Sequence, residues 1–315
     1  MVIYFLALLG GLLLLIVGAR FLVDGAAALA GRLGVHPAAI GLTVVAFGTS
    51  TPELLVNLSA AIGGEAPIAF GNVVGSNIFN TAIILGISAL IAPLTIYKRT
   101  TRIEVPLSLL AVAAVAVAAA DHYLGEGPSL IERGEGALLL GFFFVFIGYT
   151  LSLLGEEAAT DEPAGPGWSV PVSILAAILG MGMLFGGGRF TVSGAVGIAE
   201  LLNVSKRVIA LTIVSGGTSL PELVTSVVAA RRGQNDLAVS NVVGSNLFNV
   251  FFILAVSTII RPIPVESGGI VDLGVLLSVS LLLFLFIFTG SGRRIERWEG
   301  ALLLLSYVGY LVYLL

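Results

Sequence analysis

The sequence predicts an all-α integral membrane protein with ten transmembrane helices, arranged as two inverted-topology repeats of five helices each. Three observations carry this. The 315 residues are 57% hydrophobic and only 11% charged, with a mean hydropathy of +1.07, too little charge to cover a soluble protein of this size. Apolar runs of membrane-spanning length recur along the chain. The two halves also repeat one another at a fixed offset.

The runs lie near residues 2–27, 37–62, 67–94, 104–120 and 134–154, then 169–196, 207–230, 236–260, 269–290 and 298–315. The first has no basic start and no small-residue cleavage site ahead of a soluble domain, so it reads as a mature helix and not a signal peptide. A polar stretch, Gly155 to Gly167, divides five runs from five. The domains are therefore 1–154, a cytoplasmic linker at 155–168, and 169–315. The linker's acidic part, 156–162, reads as a flexible connection, given its Pro, Gly and charge content. The period-two alternation of an outer-membrane barrel is absent.

The repeat offset follows from the motif GTSTPEL (Gly48–Leu54), which returns as GTSLPEL (Gly217–Leu223), so that Glu222 − Glu53 = 169. The same offset places GNVVGSNIFN (Gly71–Asn80) on SNVVGSNLFN (Ser240–Asn249) and Arg20-Phe21 on Arg189-Phe190. About half of residues 18–80 are identical to their counterparts, without gaps. An odd number of helices per half obliges the second half to enter the membrane upside down, a plan that puts a substrate site at mid-membrane where the halves meet. Loop charges set the orientation. Arg32, Lys98, Arg99, Arg102, Arg231, Arg232, Arg293, Arg294 and Arg297 fall on one side, and Arg133, Lys206, Arg207 and Arg261 on the other. The richer set belongs in the cytoplasm, which puts both termini outside a plasma (inner) membrane.

Each GTS-x-PE motif sets a helix breaker and a carboxylate inside an apolar run. Pro52 and Pro221 lack an N–H, which deprives the Gly48 and Gly217 carbonyls of their helical partners. A polar group at membrane depth must be satisfied by something, and an intramembrane Glu is a functional candidate by default. Hydroxyls and small residues alone would be packing elements; two prolines and two glutamates in matched repeats are not. Helical spacing puts Thr49, Ser50 and Glu53 on nearby faces, as it does Thr218, Ser219 and Glu222. On the next helix of each half, Asn72, Ser76 and Asn80, and Asn241, Ser245 and Asn249, form i, i+4 stripes. These are all-oxygen donors, suited to hard cations such as calcium, sodium or magnesium, and a flexible cage of many oxygens favours calcium over magnesium. The absence of cysteine excludes thiolate metal sites, disulfides and thiol redox chemistry. No basic run suggests nucleic acid, no obligate protein partner is evident, and no organic cofactor is called for; the lipid bilayer is the evident surrounding.

At these motifs the chain resembles the cation/calcium exchanger superfamily, and within it the sodium/calcium exchanger branch of prokaryotic type. The paired GTS-x-PE and GNVVGSN-x-x-N segments correspond to that family's two alpha repeats. The resemblance implies an antiporter exchanging Na+ for Ca2+ by alternating access. It further implies that Glu53 and Glu222 bridge calcium, that Thr49 and Thr218 complete that site, and that Ser50, Ser76, Ser219 and Ser245, with the carbonyls of Ala46 and Ser215, line sodium sites. Asn80 lies at the centre. Asn249 departs from the aspartate common in relatives, so two glutamates carry the formal charge, and a Ca2+/H+ antiporter using the same glutamates stays open. A channel would need a continuous pore in place of an inverted repeat. A hydrolase would need an HExxH or a Ser–His pair, and neither is present.

Three smaller expectations complete the reading. Helices 1 and 6 bear glycines (Gly10, Gly11, Gly18; Gly186, Gly187, Gly188) on which they could slide past the ion-binding core. Arg20 and Asp24, four apart, could pair. His36 and His122 read as solvated loop residues.

Overall fold

The structure is a computed structural model that describes residues 1–98, 100–120, 129–153, 165–202, 215–265, 267–289 and 293–314. It is all-α apart from four two-residue strands. The helices are α1 (Val2–Leu33), α2 (Pro37–Thr49), α3 (Thr51–Gly63), α4 (Ala66–Ile91), α5 (Thr100–Ala118), α6 (Arg133–Leu153) and α7 (Val170–Leu201). A helical turn at Ser215–Gly217 precedes α8 (Leu220–Arg231), α9 (Asn235–Ile260), α10 (Ser267–Phe286) and α11 (Arg297–Leu314). Among the described residues, seven helices are long and apolar enough to cross a membrane, eight if α2 and α3 are one span bent by 48°. The first third of the run expected at 207–230, together with Arg99, His122, Lys206, Arg207 and the acidic segment 156–162, lies outside the described residues.

Both α1 and α7 run to 32 residues, longer than the expected spans 2–27 and 169–196. At ~1.5 Å per residue each reaches about 48 Å, well beyond the hydrocarbon thickness of ~30 Å. Glycines decide how they pack. A Cβ on Gly18 would sit 2.8 Å from the Gly180 carbonyl, and one on Gly11 2.7 Å from the Gly187 carbonyl. Gly25 and Gly194 face the partner backbone as closely. The two long helices thus touch backbone to backbone, as small residues permit. Gly188, by contrast, meets Pro221 and Gly217 of the core at a relaxed 3.8–3.9 Å, and Gly10 and Gly186 meet nothing within 4 Å. The glycines expected to form one sliding surface therefore divide into a tight seam and a loose face. Gly18→Val is expected to cost ~1–3 kcal/mol by overpacking. Gly10→Ala should be neutral or stabilising by about 0.5–1 kcal/mol. Thermal melting of the two variants checks the contrast.

The strands tie the halves together. β1 (Leu94–Thr95) pairs antiparallel with β4 (Arg294–Ile295), and β2 (Leu130–Ile131) with β3 (Ile263–Pro264). In each case a strand that follows α4 or α9 joins one from the other half.

Two local expectations are corrected. His36 is not solvated: it is 4% exposed. Its Nδ1 accepts from the Ala38 N–H at 3.2 Å, capping α2, whose first residue is Pro37. Its Nε2 lies 3.5 Å from Asp236, and its ring stacks on Tyr97. An imidazole at an N-cap position satisfies an orphan helix donor, and this draws it inward. Asp24 pairs not with Arg20 but with Arg232, at the C-terminal end of α8. The sequence-local partner loses to one brought in by packing of α1 on α8.

Candidate cation site

The two proline motifs fold alike. At Ser50 (φ −82, ψ 7) the chain leaves α2 and restarts as α3; Ser219 adopts φ −87, ψ 7 ahead of α8. Pro52 and Pro221 each take an N-terminal position where a missing N–H costs nothing. Glu53 and Glu222 consequently sit in the first turns of their helices, beside free N–H groups that favour negative charge. The missing bond that the sequence signals becomes a bend, and the bend turns the carboxylates inward.

Both carboxylates are buried, Glu53 at 1% and Glu222 at 0% exposure. Each is held from the opposite half. The Ser50 hydroxyl donates to Glu222 Oε1 at 2.9 Å, and the Ser219 hydroxyl donates to Glu53 Oε1 at 3.0 Å. Ser76 and Thr218 also flank the Glu53 carboxylate, and Thr49 flanks that of Glu222. Neither carboxylate has an Arg, Lys or His ion-pair partner among the described residues.

The asparagines cross over in the same reciprocal way. Asn80 Nδ2 donates to Asn246 Oδ1 (3.2 Å), and Asn249 Nδ2 donates to Asn77 Oδ1 (2.9 Å). Asn77 Nδ2 further donates to the Asn246 carbonyl (3.2 Å), and Asn246 Nδ2 to the Thr81 hydroxyl (2.9 Å). Asn80 and Asn249 each open a π-helical stretch, Asn80–Ile84 and Asn249–Leu254, a helix distortion frequent at functional sites. With their amide nitrogens engaged, the oxygens are left over. Glu53 Oε2, Glu222 Oε2, Ser76 Oγ, Ser245 Oγ, Asn80 Oδ1, Asn249 Oδ1 and Thr218 Oγ1 are all buried and without a hydrogen-bond partner among the described residues. Every one belongs to a residue predicted from sequence. Buried polar atoms are ordinarily satisfied, so the free oxygens on both carboxylates, and on the serines and asparagines that the two halves repeat, are open to a cation.

The other nominated residues are more engaged. The Thr49 hydroxyl reaches the Ala46 carbonyl at 3.4 Å and Asn241 Oδ1 at 3.3 Å, and can donate to one at a time. The Ala46 carbonyl also accepts the Ser50 N–H at 3.0 Å, making it the most occupied of the nominated oxygens. Ser215 begins the helical turn before α8. Of the stripe residues, Asn241 is tied by its Nδ2 to Ser226 (2.9 Å), while Asn72 is only half-buried. Asn77, Asn246 and Asn57, whose Nδ2 donates to the Glu53 carbonyl at 2.8 Å, are the residues that sequence reasoning missed. Asn77 and Asn246 lie inside the repeated motif and coincide at the 169 offset, which is the signal that could have found them.

A cavity of about 880 Å³ reaches the site from one side, lined by Pro52, Ser59, Gly63 and Glu65 of the first half and Arg189, Ser193, Thr218 and Pro221 of the second. No group of three or more His, Asp or Glu able to hold a metal occurs among the described residues. Two carboxylates with neutral oxygens suit a hard cation and not a nitrogen-seeking transition metal.

The sodium/calcium exchanger protein family profile matches residues 3–152 and 172–315. The chain belongs to the sodium/calcium exchanger family. The exchanger is 34% identical to the sodium/calcium exchanger MaX1 of Methanosarcina acetivorans, over 98% of each chain. It is 32% identical to the inner membrane protein YrbG of Escherichia coli, covering 98% of this chain and 95% of that one. Its fold superposes on the sodium-calcium exchanger NCX_Mj soaked with 10 mM Na+ and zero Ca2+, with a TM-score of 0.85, 33% identity and coverage of 99% and 98%. As a member of this family it is a multi-pass membrane transporter of cations and not an enzyme.

Proposed function

We propose that the exchanger is a secondary antiporter that moves Ca2+ against Na+ by alternating access, with ten helices in two inverted halves, 1–154 and 169–315, joined at 155–168. The observation that carries this is the buried glutamate pair with its orphan oxygens. Two carboxylates removed from water need positive charge nearby, and the described residues supply none at the site. One Ca2+ or two Na+ balance the pair. Calcium accepts six to eight oxygens in a flexible cage, and Glu53, Glu222, Thr49 and Thr218 form its centre. Ser50, Ser76, Ser219 and Ser245, with the Ala46 and Ser215 carbonyls, serve Na+ to either side, and Asn80 and Asn249 offer neutral oxygens between. The inverted arrangement is supported by the reciprocal bonds, Ser50 to Glu222 and Ser219 to Glu53, Asn80 to Asn246 and Asn249 to Asn77, and by the crossed strand pairs.

In this reading the α1–α7 pair slides as one body over its loose face, closing the 880 Å³ cavity and opening the other side. The cavity faces outward, both termini lie outside, and the membrane is the plasma membrane. The test is flux. Liposomes loaded with Na+ are diluted into Na+-free buffer containing labelled Ca2+, with the pH gradient collapsed. Uptake that requires internal Na+ is expected. Uptake that ignores Na+ and follows an imposed pH gradient would replace Na+ with H+ as the coupling ion, with Asn249 the first residue to examine.

A further inference from the structure

The two ends of the sliding pair are not equally fastened. On α1, Asp24 forms an ion pair with Arg232, the C-cap residue of α8. The 169 offset carries Asp24 onto Ser193 and Arg232 onto Gly63. Those counterparts both line the open 880 Å³ cavity. The same two positions are therefore oppositely charged and joined at the end away from this cavity, and neutral where the cavity opens. No side chain at Ser193 or Gly63 could reproduce the ion pair if the far side became the closed one.

We propose that the Asp24–Arg232 ion pair is a latch between the mobile helix pair and the core, biasing the exchanger toward the conformation in which the 880 Å³ cavity is open. This rests on the sliding reading above. Sliding of α1 against α8 must part the two side chains, while the counterpart positions Ser193 and Gly63 carry no ion pair that has to break. A two-state equilibrium shifts only by what one state has and the other lacks, and this contact is present in one state alone. The third charge facing the pair is Arg20, one turn before Asp24, whose positive charge lies near Arg232. It competes for Asp24 and holds the latch within reach of opening. The pair is partly exposed, at 35% and 28% for its two side chains, so the bias is up to about fivefold, the range of a solvent-screened pair.

The chain has no cysteine, so Ser59→Cys, on the exposed cavity wall, gives a single reporter thiol. Its rate of modification by a hydrophilic maleimide, in ion-free buffer, reads how often the cavity is open. Asp24→Ser and Arg232→Gly are each expected to slow labelling, by up to about fivefold. The charge reversal Asp24→Arg with Arg232→Asp should restore it. Transplanting the latch, with Ser193→Asp and Gly63→Arg added to the unlatched protein, should slow labelling further; a Cβ at Gly63 meets nothing within 4 Å. Unchanged labelling in both single variants overturns the proposal, as does slowing that charge reversal fails to repair. Flux separates this from failure of the underlying reading. Na+-driven Ca2+ uptake by the reporter protein with labelling blind to every latch variant sinks the latch alone. Absence of coupled uptake sinks both.

Discussion

Glu53→Gln and Glu222→Gln are each expected to abolish Ca2+ transport while leaving a folded protein. Removing one partner from a buried charge arrangement costs ~3–5 kcal/mol, on the order of 10²- to several 10³-fold in affinity for the balancing cation. The effect on the ion-free protein runs the other way. Each glutamate is buried with no cation from the described residues against it, so the amide relieves an uncompensated charge and the ion-free melting midpoint should not fall. Ca2+ stabilises only the state that binds it, by an amount that grows with the ratio of its concentration to Kd. The wild type should therefore melt higher as Ca2+ is raised, and the variants should show a flat response over the same range. A variant that keeps the Ca2+-dependent rise would remove that glutamate from the site. Because Ser219 donates to Glu53 and Ser50 to Glu222, Gln can still accept those bonds, which isolates charge from packing.

What could be read in the sequence was whatever the repeat states twice. Glu53 and Glu222, the prolines behind them and the Ser and Asn positions all recur at one offset; at the bends the glutamates meet Ser50 and Ser219 of the opposite half, while Asn80 and Asn249 meet asparagines of the opposite half. Features set by contacts distant in sequence were not visible. Asp24 has an arginine four residues away, and local spacing selects it; Arg232 is brought in only by the packing of α1 on α8. His36 looked like a loop residue because its partner Asp236 lies in the other half, although a polar residue ahead of Pro37 already had the form of a helix cap. The π-helical stretches at Asn80 and Asn249 leave no mark in hydrophobic period. The strand pairs, two residues each, are too short for any alternation to register. Gly188 and Gly18 look the same in the sequence, yet one faces the core loosely and the other touches a neighbouring backbone.

Asn77 and Asn246 show most directly what an i, i+4 stripe misses. The stripe through Asn72, Ser76 and Asn80 places Asn77 about 100° away from Ser76 around the helix, facing the opposite half and not the orphan oxygens. From there it accepts from Asn249 and donates to the Asn246 backbone, while Asn246 accepts from Asn80 and donates to Thr81. These two amides fix which end of Asn80 and Asn249 points where: by taking the nitrogens, they leave the oxygens for an ion. Asn246→Leu should therefore act at two levels. It strands the buried Asn80 amide and Thr81 hydroxyl, at ~1–3 kcal/mol each, and lowers the ion-free melting midpoint. It also frees Asn80 to rotate, so its oxygen is no longer held ready, and Ca2+ affinity should fall roughly tenfold, the equivalent of ~1.4 kcal/mol. Asn77→Leu should do the same through Asn249. Calcium titrations of melting midpoints measure both effects in one experiment. A variant that melts lower but keeps the full Ca2+-dependent rise would confine these asparagines to joining the halves, whereas loss of that rise with both glutamates intact would make them the residues that aim the site.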